Sequence, residues 1–199
     1  SLIAGVAAAG SDSAAILVAG IAGLMAGALS MAAGEYVSVS SQSDTEQADV
    51  ARERAELATA PEAELAELTE IYIARGLTPS LAGQVAQALT VADALTAHSR
   101  DELGIVEATT ARPIQAALAS AASFAVGAAI PLVAAWLVPA SSALVTVIAV
   151  SLVALAGLGV LGAIAGGASI LRPTLRVVVW GAAAMAVTTL VGMAFGVAA

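Results

Sequence analysis

Six side chains in one stretch of this 199-residue chain have the type and spacing to hold a metal cation. Glu53 and Glu56 are three residues apart, Glu64 and Glu67 repeat that interval, and His98 precedes Glu102 by four. On a helix, intervals of three and four place both members of a pair on one face. Helices that each turn such a polar pair inward are how helical bundles build carboxylate-rich metal sites. Five carboxylates and one imidazole, without sulfur, suit Fe2+, Mn2+ or Zn2+, and the donor set alone does not choose among them. The competing reading is a solvated acidic face, because Glu62 and Glu70 pair equally well with nearby arginines. A lone histidine such as His98 is also more often a surface or packing residue than a ligand. Met31 and Glu35, four apart, form a second candidate at the end of an uncharged run, where an ionisable group marks a functional site. Against it, Glu35 could simply mark the water interface and Met31 could be ordinary helix packing.

These residues need helices to carry them, and the composition supplies helices of two kinds. Hydrophobic residues make up 60% of the chain and charged residues only 11%, against roughly 45–50% apolar content in an average soluble domain. The charges are segregated. None falls between residues 13 and 34, 113 and 171, or 177 and 199. Each run is long enough for one or two membrane spans of about 20 residues, and lipid can absorb continuous apolar sequence that a soluble core cannot. All but Asp12 and Glu35 of the 15 acidic residues lie between 44 and 112. The expected fold is all-α: a polytopic membrane helix bundle with a three-helix acidic cytoplasmic insert. Its expected parts are residues 1–41 (membrane helices, a truncated first helix and then a second), 42–112 (the insert) and 113–199 (three further membrane helices).

Local signals set the boundaries. Ser11 or Ser13 can cap a helix running from 13 towards 41. Insert helices are predicted at 43–58, at 60–75 with Thr59 and Glu62 as a capping box, from Thr78-Pro79 onwards, and at 93–102. Gly76 fits the residue after a helix end. Leu65, Leu68, Ile71 and Tyr72 share one face, and Leu81, Val85 and Leu89 another. Membrane spans are predicted at 114–137, 141–166 and 175–197, with a loop at 171–176 before the last. Gly20, Gly23 and Gly27 form a small-residue stripe suited to close helix packing, which Gly34 extends. Arginines occur in the insert and at Arg172 and Arg176, and two spans between these segments place both on the cytoplasmic side.

Several functions are excluded or unsupported. The chain has no cysteine, which removes disulfides, thiolate sites and cysteine nucleophiles. A net charge of −8 argues against nucleic acid as a partner. Neither a phosphate-binding loop nor a hydrolase or zinc-protease motif occurs, so nothing supports an enzyme or an organic cofactor.

The stretch from Gly27 through Met31, Gly34 and Glu35 to Gln42, followed by Asp44-Thr45-Glu46, resembles the second-helix signature of the vacuolar iron transporter family. Arg100-Asp101-Glu102-Leu103-Gly104 and Ile130-Pro131-Leu132 are similar to it as well, and the likeness covers essentially the whole chain. It implies a dimeric five-helix transporter that exports Fe2+ from the cytosol in exchange for protons; the donor set leaves Mn2+ or Zn2+ open as other cations. Its cytoplasmic insert would collect metal through glutamates at positions that fall here on Glu53, Glu56, Glu64, Glu67 and Glu102. His98 stands where the family has a methionine. Met31 and Glu35 match positions that line the ion pathway. The family's first helix opens with Asn-Asp-Gly, which has no counterpart here, and the chain accordingly reads as a piece of a longer one. The alternative is a membrane-anchored metal-binding or metal-sensing protein that does not transport. Abundant Ala, Gly and Arg with no Lys point to a bacterial cytoplasmic membrane, or to a vacuolar membrane in a eukaryote.

Overall fold

A computed structural model describes residues 2–106 and 111–196. They form seven helices and, among the described residues, no strand: α1 (Leu2–Ala8), α2 (Ser13–Thr59), α3 (Pro61–Ala74), α4 (Pro79–Asp101), α5 (Pro113–Trp136), α6 (Ala140–Ala165) and α7 (Leu171–Gly196). Four of these, α2, α5, α6 and α7, are long and apolar enough to cross a membrane. The expected membrane helix bundle is therefore present. The predicted end of the last span at residue 197 lies outside the described residues. The chain divides into two compact units, residues 1–33 with 117–199, and residues 34–116.

In the first unit, Ile3, Ala4, Ile16, Ala135, Ala143 and Val147 make the core. Gly5 on α1 and Gly192 on α7 bring two backbones into direct contact, and a Cβ on Gly192 would overlap the Gly5 carbonyl. The glycine stripe of α2 also packs: Gly20 faces Leu132 and Ile3, Gly23 faces Leu2, and Gly27 receives the Phe124 ring. Gly34 has no neighbour there and does not extend it. Between α1 and α2 the cap is Asp12, whose Oδ1 accepts the Ala15 N–H at 2.8 Å, rather than Ser11 or Ser13. The predicted loop at 171–176 is the opening of α7, since a proline is tolerated in the first turn of a helix, here Pro173.

The largest departure from the sequence reading is α2. A break near residue 42 was expected, yet one helix of 47 residues continues through it. No Gly or Pro interrupts residues 35–59. Gln42 bonds to Glu46, the Thr45 hydroxyl to the Ser41 carbonyl and Gln47 to Ser43, so side chains span the polar turns one turn at a time. At about 1.5 Å per residue, α2 is more than twice as long as a hydrocarbon core of about 30 Å is thick, so its polar half lies in water.

In the second unit, Leu68 of α3 packs on Ala86 and Ala97 of α4, with Leu65, Tyr72 and Leu89 around them. Leu81 is exposed, contrary to the predicted face, because Ala82 and Ala86 let α4 approach closely. The capping box does not form: Ala60 is the N-cap, and the Thr59 hydroxyl donates back to the Ala55 carbonyl at 2.9 Å. Gly76, at φ 101°, ends α3 as expected; its N–H reaches the Ile73 carbonyl and the Leu77 N–H that of Tyr72. Asp93 interrupts α4 with extended backbone, φ −167° and ψ 94°. Its carboxylate then caps the following turns through the Thr96 N–H at 3.0 Å and hydroxyl at 2.8 Å. The short helix predicted from residue 93 is thus distinct, although it continues α4.

The ends of α6 yield a test of the spans. Ser141 and Ser169 are both exposed and flank a single crossing. Cysteines placed there, one at a time in this cysteine-free chain, are expected to label from opposite membrane faces, Ser169→Cys from the cytoplasmic one beside Arg172 and Arg176. Labelling of both from one face would rule out α6 as a span.

Candidate metal centre

Four of the six predicted donors converge. Glu53 comes from α2, Glu64 from α3, His98 from α4 and Glu102 from the residue that ends α4, and one donor atom from each lies within 4.8 Å of all the others. The local sequence explains the aim of each. Glu64 is one turn before Leu68 and so shares the inward face of α3, while His98 follows Ala97, which packs against that leucine. Ligand bonds of about 2.0–2.2 Å place opposite donors roughly 4.4 Å apart, so a divalent cation needs only a small inward closure of this cluster.

The centre of the cluster is one nitrogen. His98 Nδ1 lies 2.9 Å from Glu53 Oε1, 3.1 Å from Glu102 Oε2 and 3.7 Å from Glu64 Oε2. Only the Glu102 contact has hydrogen-bond geometry, and Glu53 Oε1 is left buried without a hydrogen-bond partner despite its short approach. His98 Nε2 is likewise buried and unpartnered. The histidine is fully buried and Glu53 is 2% exposed, so these are desolvated groups. An unpaired buried acceptor beside three other donors is a polar deficit that a cation, more than any single proton, can fill.

Electrostatics agree with the geometry. Burial, reinforced by the negative charge of Glu102 and opposed by His98, pushes the Glu53 carboxyl up to about 7. Burial and then Glu67 also raise Glu64. Glu56 and Glu67 are exposed and stand outside the four-residue cluster. Their influence is through charge, since Glu56 acts on both Glu53 and Glu64 and Glu67 acts on Glu64. Met31 and Glu35 are both exposed side chains on α2. Sequence reasoning placed Asp101 in the Arg100–Gly104 motif but gave it no role; it binds Tyr72 of α3 and Arg75, which caps that helix.

The family model described as the VIT family matches residues 1–193. The chain belongs to the VIT family. A protein named vacuolar iron transporter from Acanthamoeba castellanii is 48% identical over 178 residues, 89% of this chain and 68% of the relative. Vacuolar iron transporter homolog 1 of Oryza sativa subsp. japonica is 39% identical over 197 residues, covering 98% of this chain and 67% of the relative. Vacuolar iron transporter 1 of Arabidopsis thaliana is 35% identical over 158 residues, covering 78% and 63%. These VIT relatives are eukaryotic and lend no support to a bacterial membrane.

The raised Glu53 carboxyl has a thermodynamic consequence. Without metal, the folded state holds a proton that the unfolded chain has lost between pH of about 4.5 and about 7. Stability of the insert therefore falls as pH rises through that window. Amide exchange in α3 and α4 of metal-free protein is expected to quicken there beyond its intrinsic pH dependence. Glu53→Gln should remove most of the excess, leaving the part due to the raised Glu64, and an unchanged profile in that variant would exclude Glu53 as its source.

Proposed function

We propose that this VIT-family protein carries Fe2+ from the cytosol across its membrane in exchange for protons, with Mn2+ as a second cargo. The observation that carries the reading is the convergence of buried Glu53, Glu64 and His98 with Glu102 at their exposed edge, on a chain with four helices long and apolar enough to cross a membrane. Its donors are three carboxylates and an imidazole, which suit Fe2+, Mn2+ and Zn2+ better than soft cations. Exposed Glu56 and Glu67 would raise the local cation concentration and hand ions inward. Binding requires deprotonated ligands, so a cation entering near neutral pH displaces the proton from Glu53. That exchange gives the protein a chemical basis for antagonism between metal and protons. Met31 and Glu35, one helical turn apart on α2, would line the onward path, with Glu35 as the charged group at the membrane boundary. The names of the relatives point to a vacuolar or other organellar membrane, and the family resemblance to a homodimer.

Transport is testable in proteoliposomes loaded with an iron-quenched dye. External Fe2+ should enter faster when the lumen is acidic than when the pH is equal. Glu53→Gln should raise the half-saturating Fe2+ concentration by roughly tenfold or more. Glu35→Gln should slow entry even at saturating Fe2+. Tight binding with no flux under any gradient would instead favour a metal-sensing protein.

A further inference from the structure

Glu102 stands at the very end of α4. Its N–H and that of Leu103 both reach the His98 carbonyl, at 2.9 and 3.3 Å, the Ile105 N–H reaches the Ser99 carbonyl at 2.7 Å, and Gly104 turns the chain away at φ 69°. The segment that carries both His98 and Glu102 is short, because Asp93 breaks α4 ahead of it. Two helical turns do not hold themselves in water, and terminal turns fray.

Asp101 supplies the restraint. Its carboxylate, 7% exposed, accepts from Tyr72 Oη at 2.7 Å, Arg75 Nη1 at 2.7 Å and Arg100 Nη2 at 2.8 Å. Arg75 Nη2 also reaches the Asp101 main-chain carbonyl at 3.0 Å, so one guanidinium grips both the side chain and the backbone. Arg75 lies over the Tyr72 ring, 5.2 Å from its centroid, which fixes the two donors relative to each other. Tyr72 and Arg75 sit on the last turns of α3, the helix that also carries Glu64. Arg100 first, and then Arg75 and Tyr72, hold Asp101 as a carboxylate well below the usual acid range.

We propose that Asp101, gripped by Tyr72 and Arg75, is a positioning residue that locks the end of α4 to α3 and thereby sets Glu102 and His98 against Glu64 and Glu53. This rests on the reading of the four-residue cluster as a cation site. The clamp ties the α3 donor to the two donors at the end of α4 through contacts outside the four-residue cluster.

The test uses the full chain in detergent, with Co2+ as the probe because its visible spectrum reports ligand number and geometry. Glu53→Gln serves as the control for the site itself and should weaken Co2+ binding strongly. Tyr72→Phe and Arg75→Met should each weaken it by roughly 10–100-fold. At saturating Co2+ both should give the altered spectrum of Glu102→Gln instead of the wild-type one. In a Glu102→Gln background Arg75→Met should then cost less than it does in the wild type, because the nearer of the two groups it positions is already gone. If Arg75→Met loses helicity, the milder Tyr72→Phe decides. Wild-type affinity in both clamp variants, with Glu53→Gln impaired, would overturn the positioning role and leave the cation site standing. Weaker binding with a wild-type saturated spectrum would overturn it too, reducing the clamp to general stability. Undiminished Co2+ binding in Glu53→Gln would overturn the cation site on which the proposal rests.

Discussion

Mutual repulsion among buried carboxylates is the constraint around which the polar unit is arranged. Glu53, Glu64 and Glu102 reach for a single imidazole nitrogen, and two of the three are removed from water. An uncompensated buried charge costs several kcal/mol, whereas an exposed ion pair contributes about 0–1. Surface pairs such as Arg52 with Asp49 cannot offset that scale of penalty. Proton uptake by Glu53 or cation binding relieves it directly. The packing of Leu68 on Ala86 and Ala97 and the Asp101 contacts hold together α3 and α4, which the acids would otherwise push apart.

The membrane unit solves a different problem. Lipid offers apolar groups an environment as favourable as a neighbouring helix, so burial alone cannot hold its helices together. Close backbone approach takes over that task. Gly5 and Gly192 meet directly, and Gly20, Gly23 and Gly27 accept Leu132, Leu2 and Phe124 against the α2 backbone. Exposed apolar residues such as Val145, Leu161 and Phe195 then cover the outside, as a lipid-facing surface requires.

The membrane helices were legible because charge is so sharply excluded from them, and a long run without charge has few alternatives. The end of α3 was legible as well, since Gly76 takes a backbone conformation that other residues resist. Continuity of α2 was hidden: its polar stretch of Ser, Gln, Asp and Thr looks like a loop, and only successive side-chain bonds along the turns keep it helical. Asp12 was passed over as a cap because two serines flank it. At the site, a three-residue interval marks a shared face but not the roll of the helix. The seating of Leu68 turns Glu64 inward and leaves Glu67 outside, a choice made by packing that spacing cannot express. The contact of Tyr72 with Asp101 joins residues 29 apart and has no periodic signature at all.

The glycine seam between α1 and α7 bears on how the protein is made. α1 precedes and α7 follows every other helix described, yet their backbones touch. Closing so long a loop adds only a slowly growing entropy cost, so the delay is one of synthesis more than of thermodynamics. While α2, α5 and α6 are being inserted, the Gly5 face of α1 has no seat, and a chain interrupted before α7 leaves the bundle open. The seam on the Gly5 face of α1 therefore closes only once α7 has entered the membrane, so the packing of an early helix waits on a much later one.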